Sequence, residues 1–234
     1  MKSMKRTIAV LVAVSLMVGC VIGGTLSWLT SKTENVTNVF TTSDINVELK
    51  EHEYDPEKNE LLLDKETTKG DNDFKMIPGW TIPKDPWVTV KANSEDCYVF
   101  LKVEEKGGNV TVDGVTHNFD SFIHYDIDPN NWTQLTDGDN DEVAGVYYCV
   151  AQDITNDRNI KVLGYTDNQG TFHNNQVYVK ETVTKEMMNA VTEATKPTLT
   201  FTAYASQMYK NNTETFEVYE AWMNILANQP PQNT

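Results

Sequence analysis

Apolar residues fall at every second position through much of this chain, and that spacing constrains the fold more than any other feature. In Leu199-Thr200-Phe201-Thr202-Ala203-Tyr204-Ala205, positions 199, 201, 203 and 205 share one face, with the threonines and Tyr204 on the other. Successive strand side chains point to opposite sides of a sheet, so a period of two marks a strand with one buried face. The stretch Cys97–Glu104 puts Cys97, Val99, Leu101 and Val103 together in the same way, and residues 44–50 and 87–91 repeat the pattern. Further strands are expected at 122–127, 145–151, 159–163 and 176–181. Turn formers separate the runs: Pro78-Gly79, Gly107-Gly108, Asp113-Gly114, Asp128-Pro129-Asn130-Asn131 and Asp137-Gly138. Many short strands with frequent turns predict an all-β fold, a jelly-roll-like antiparallel β-sandwich. Two short helices are expected, at 184–192 and 215–227, the second with Phe216, Tyr219, Met223 and Leu226 as its apolar stripe. The charged stretch 51–73 reads as a solvated excursion around a short strand at Leu61–Leu63.

The first 27 residues read as an export signal. Lys2, Lys5 and Arg6 precede the apolar run Ile8–Val18, and no acid occurs before Trp28. A basic start, an apolar core and a small-residue end make a signal peptide. Thr25 and Ser27 supply the small residues, which places cleavage before Trp28. The apolar core is short for a stable membrane anchor. Lipidation at Cys20 is a rival, although Met17 is a poor first residue for that box. The expected organisation is a signal peptide at 1–27, an N-terminal segment at 28–42, a β-sandwich domain at 43–227 and a disordered tail at 228–234.

Charge narrows the partners. The chain has 34 Asp+Glu against 19 Lys+Arg, a net −15. Cleavage removes three bases and no acids, leaving 16 bases against 34 acids and a net −18. Nucleic acid is not expected as a partner, because a phosphate backbone needs a basic footprint. No catalytic, cofactor or metal residues are assigned. His52, His117, His124 and His173 form no HExxH, and no nucleotide-binding glycine loop or Gly-x-Ser-x-Gly is present. Asp137, Asp139 and Asp141 occupy the first, third and fifth places of a calcium loop. Glu142 and Tyr148 stand where that loop requires glycine and glutamate, so the expectation is a loose Ca²⁺ contact or a solvated turn. Cys97 and Cys149 remain after cleavage. They are either buried thiols or, in an exported protein, a disulfide, which requires their strands to be adjacent.

Several stretches resemble the TasA/camelysin-like family of Gram-positive bacteria. Gly23-Gly24-Thr25-Leu26-Ser27-Trp28 resembles the site cut by that family's dedicated signal peptidase, SipW, and Asn38-Val39-Phe40-Thr41 resembles the motif that follows. Ile77–Pro86, with Pro78-Gly79 and Lys84-Asp85-Pro86, is similar to the family's segment before a strand. Cys97–Glu104 and Thr200–Gln207 followed by Glu220-Ala221-Trp222 resemble two more of its stretches. The resemblance implies a jelly roll exported to the cell surface or biofilm matrix. It implies head-to-tail fibres in which the freed N-terminal segment of one copy becomes a strand of the next, with the SipW-type peptidase and a minor anchoring protein as further partners. In that segment Trp28, Val36 and Phe40 share strand parity and are the expected pocket fillers, mobile in the monomer and ordered in the fibre. Camelysin carries a metallopeptidase label, but no motif here maps onto it. A monomeric secreted module is the remaining alternative, with Trp80, Trp87 and Trp132 as a candidate sugar platform.

Overall fold

The computed structural model describes residues 29–31, 45–68 and 72–228. The expected signal peptide with Thr25 and Ser27, the residues Trp28, Val36 and Phe40, and the tail beyond Asn228 lie outside them. The described chain opens with β1 (Leu29–Ser31), followed by a hairpin of β2 (Val47–Asp55) and β3 (Glu60–Thr67). β4 (Asn72–Phe74), β5 (Thr81–Pro83) and β6 (Trp87–Val90) are short, and β7 (Cys97–Lys106) is long. β8 (Val110–Val112) and β9 (Val115–His117) lead into α1 (Phe119–Phe122). β10 (Ile123–His124), β11 (Asp126–Ile127) and β12 (Thr133–Thr136) precede β13 (Glu142–Ala151). β14 (Arg158–Lys161), β15 (Leu163–Thr166), β16 (Phe172–Asn174) and β17 (Gln176–Val179) come next. The chain closes with α2 (Lys185–Ala190), a 3-10 turn (Glu193–Thr195), β18 (Thr198–Gln207) and α3 (Val218–Ala227).

These strands build an all-β sandwich. One sheet has the order β12-β13-β7-β18-β1-β4. Across the core lie β14-β6-β2-β3 and two three-stranded sheets, β10-β17-β5 and β11-β15-β16. Among the described residues the strand pairings are antiparallel, apart from β1 against β18. The alternating positions meet between the layers: Val99, Leu101, Leu199, Phe201 and Ala203 from the large sheet pack with Val47, Leu49, Val88 and Val90 from the facing one. Each large side chain buried there stabilises the fold by about 1.5–3 kcal/mol. At Gly145 the backbone turns left-handed (φ 66°) and passes so close to the Val103 carbonyl that a Cβ would sit 2.5 Å from its oxygen. Pairing of β13 with β7 begins one residue later, at Val146↔Lys102.

The outer face of the large sheet is buried too, which the alternation did not announce. Thr200, Thr202 and Tyr204 were expected to face solvent, yet all three are buried. α3 lies over that face, and Tyr98, Phe100, Leu135, Val146 and Tyr204 pack with Ala221, Trp222 and Ile225. Of the expected stripe, Phe216 and Tyr219 pack against this cluster, while Met223 and Leu226 are exposed and Ala221, Trp222 and Ile225 take the inward positions. Trp222 sets this orientation, with its ring 5.4 Å from Phe100 and 5.5 Å from Tyr204. The expected strand at 122–127 also resolves differently, into the end of α1 and two short strands in separate sheets.

Candidate assembly site

β1 occupies a slot between β4, near the start of the described chain, and β18, near its end. Thr30 pairs with Thr198 of β18 in parallel, while Leu29, Thr30 and Ser31 pair with Phe74, Asp73 and Asn72 of β4 in antiparallel register. This is the one place where the 28–42 segment enters the described structure. The segment was expected to be free in a single chain, and its first residues instead complete that chain's own sheet. β7 covers one side of β18 along its whole length, from Thr198↔Lys106 to Gln207↔Cys97. On the other side, among the described residues, strand pairing stops at Thr198. Along that stretch the core residues Leu199, Phe201 and Ala203 are each at 0% exposure, backbone included.

A polar network lies in the core beside the slot. Phe74 of β4 and Phe201 of β18 flank the Lys84 ammonium, with ring centroids 5.0 and 5.7 Å from Nζ. Lys84 Nζ donates to Glu51 Oε2 at 2.7 Å. The other carboxylate oxygen, Oε1, accepts from Asn72 Nδ2 at 3.0 Å. Asn72 also donates to the His52 carbonyl (2.9 Å) and accepts from the Tyr54 N–H (2.9 Å). Next to it, Asp85 accepts from the His52 N–H at 3.1 Å and lies 2.7 Å from His52 Nδ1. Burial pulls the Lys84 pKa below its ordinary value, with the Glu51 charge opposing. Glu51 was expected in a solvated excursion. It is almost fully buried instead, because β2 runs on through Asp55 and pairs with a β3 longer than the predicted strand. Neither Lys84 nor Asn72 was singled out as a site residue. The signal available was a charged pair, Lys84-Asp85, set inside the mostly apolar Ile82–Val90 stretch.

The other expected site residues are dispersed. Asp137 Oδ1 accepts the backbone N–H groups of Asp139 (2.9 Å) and Asp141 (3.0 Å), so its carboxylate is engaged in closing the β12–β13 turn. Among the described residues no cluster of metal-binding side chains occurs. Cys97 and Cys149 are both free and buried. Their strands are adjacent, as a disulfide requires, but Cys97 stands opposite Ala151 and Cys149 opposite Val99. The thiols are thus diagonal neighbours, and diagonal residues lie about 7–8 Å apart, beyond ordinary disulfide reach. Burial pushes both thiols up to about 12.

His117 and His124 sit on separate strands with α1 between them. Trp132 is buried, with its indole N–H donating to the Lys161 carbonyl at 2.7 Å. Trp87 is partly buried against His52, and Trp80 alone of the three proposed platform residues is exposed. A different aromatic row exists: Tyr165 stacks on His173 at 4.9 Å and on Tyr178 at 5.6 Å. Tyr165 and Tyr178 line an open cleft of about 440 Å³ together with His124, Asp167 and Lys180. His173 bonds Asp167 at 2.9 Å and thereby holds that carboxyl below its ordinary range.

No protein-family model, curated protein or solved structure matches this chain.

Proposed function

We propose that this protein is an exported structural subunit of extracellular, biofilm-matrix fibres, joined head to tail by an N-terminal strand freed by signal-peptide cleavage. The observation that carries this reading is the slot between β18 and β4, filled by Leu29–Ser31. A strand that completes its own sheet between two neighbours can be exchanged for the same strand of another copy. Main-chain hydrogen bonds supply affinity and side-chain pockets supply specificity in strand addition. Head-to-tail donation does not close on itself, so it generates filaments. In this reading Trp28, Val36 and Phe40 anchor the donated segment, a SipW-type peptidase releases it, and a minor protein tethers the fibre. The resemblance to the TasA/camelysin-like family points the same way, as does the export signal. No catalytic residue is assigned.

Deleting Trp28–Val39 tests the proposal. The truncated chain is expected to fold, to stay monomeric and to bind a synthetic 28–42 peptide. Filaments formed equally well by the truncated chain would refute it. The Tyr178–Tyr165–His173 row favours a second reading, a secreted module that stacks sugar rings. Filament-free protein retained on a polysaccharide column, and released by Tyr165→Ala, would select that reading.

A further inference from the structure

Glu51 holds the side chains of Lys84 and Asn72 on the two oxygens of one buried carboxylate, at 2.7 and 3.0 Å. An amine, a primary amide and a proton carrier are thereby gathered in a site closed to water. From this geometry we propose that Lys84 and Asn72 become joined by a spontaneous intramolecular isopeptide bond, with Glu51 as the catalytic residue. The inference does not depend on the fibre reading.

The chemistry follows from the contacts. Lys84 is at 0% exposure and Glu51 at 2%. Burial disfavours the Lys84 ammonium, and Glu51 Oε2, 2.7 Å from Nζ, is the atom placed to take its proton. The resulting amine is a nucleophile packed between the Phe74 and Phe201 rings, where no water competes. Its target is the Asn72 side-chain carbonyl carbon. The orientation of that amide is fixed, because the Tyr54 N–H donates to Oδ1. The same N–H stabilises the negative charge that develops on Oδ1 as the amine adds.

Asn72 Nδ2, the leaving nitrogen, already faces the Glu51 carboxyl and receives the proton it carries. The Lys84 Nζ–Asn72 Cγ bond forms, the Asn72 Cγ–Nδ2 bond breaks and ammonia departs. Glu51 takes one of the two protons left on Nζ, the other staying as the new amide N–H, and ends as a neutral carboxylic acid. The ion pair and amide have become an amide, a carboxylic acid and ammonia, with atoms and charge conserved and no oxidant needed. Asp85, the nearest other acyl group, is held by His52 on both its oxygens. The bond ties β4 to the segment following β5 beside the β1 slot, so it braces the strand against which β1 pairs.

Intact-mass measurement of the denatured full chain tests this. The wild-type protein is expected to be lighter than its sequence by one ammonia, and proteolysis should yield a branched peptide joining the Lys84 and Asn72 fragments. Glu51→Gln keeps the shape but cannot carry the proton, so it should restore the sequence mass and release two separate peptides. A wild-type mass equal to the sequence would overturn the proposal, whether or not the variant folds. So would an ammonia loss located elsewhere in the digest, or a Glu51→Gln chain that still yields the branched peptide.

Discussion

Lys84 Nζ and Glu51 Oε2 meet at 2.7 Å in the interior of the sandwich, both side chains cut off from solvent. Each compensates for the other's burial, and neither is neutral in the folding balance alone. Lys84→Met, which also removes the amine needed for the cross-link, should leave Glu51 without its cation and destabilise the protein by about 3–5 kcal/mol. Adding Glu51→Leu should recover the part of that loss due to the unpaired carboxylate, because a buried pair exchanged for apolar side chains is often neutral, while the part due to the missing cross-link should remain. Urea unfolding of the single and double variants measures both numbers. Equal losses in the two would mean that the charges are not coupled.

The thiols give an independent check on the large sheet. With Cys97 and Cys149 free, buried and pushed up to about 12, a thiol reagent at pH 8 should leave the folded protein unlabelled. Denaturation without reductant should then expose two reactive thiols in the mature chain. Two unreactive cysteines after denaturation would show a disulfide, and with it a register different from Cys97↔Ala151.

α3 should tolerate change on the face once expected to be buried. Met223→Lys and Leu226→Lys should alter stability by less than about 0.5 kcal/mol, as surface substitutions do. Trp222→Ala empties the contact with Phe100 and Tyr204 and should cost about 3–5 kcal/mol. Thermal or urea melts decide this, and the reverse ranking would place the helix with its other side inward.

What the sequence made legible follows from where its signals live. Period-two spacing at 97–104 and 199–205 marked the two central strands, β7 and β18, because their inner faces pack one uniform apolar layer. The same spacing could not reveal α3 over the outer face, since threonine and tyrosine serve equally under a helix or in water. Glu51 was misplaced for a related reason: a charge run reads as solvated, and the partner that permits burial lies 33 residues on, at Lys84. The β1 slot joins Leu29–Ser31 to strands at both ends of the domain, and no local pattern encodes such a pairing.

Charge should govern the rate of assembly. Mature subunits of net −18 repel one another as they approach, and about 0.15 M salt screens charges beyond about 8 Å. Mild acid acts in the same direction by protonating ordinary surface carboxylates. Some carboxylates resist: the Lys91 ammonium, 3.0 Å from Glu48 Oε2, holds Glu48 below its usual 4.5, and the Ala92 N–H holds Asp157 below 3.8. Lowered folded-state values mean that these groups support the fold above their unfolded values and lose that support as pH falls through the folded ones. Growth followed by light scattering should therefore quicken with salt and from pH 7 to about 5, and the fold should weaken only below about 4.5. Growth that slows as salt rises would contradict a charge-limited encounter.

The most direct measurement is electron microscopy of the mature full-length chain beside its Thr30→Pro variant. Proline removes a backbone N–H and is excluded from central strands, so it strikes β1 where Thr30 sits between Thr198 and Asp73 while leaving the downstream core intact. The account predicts filaments from the wild-type chain and folded, unassembled subunits from the variant. Filaments of equal length and number from both would contradict assembly by an N-terminal strand.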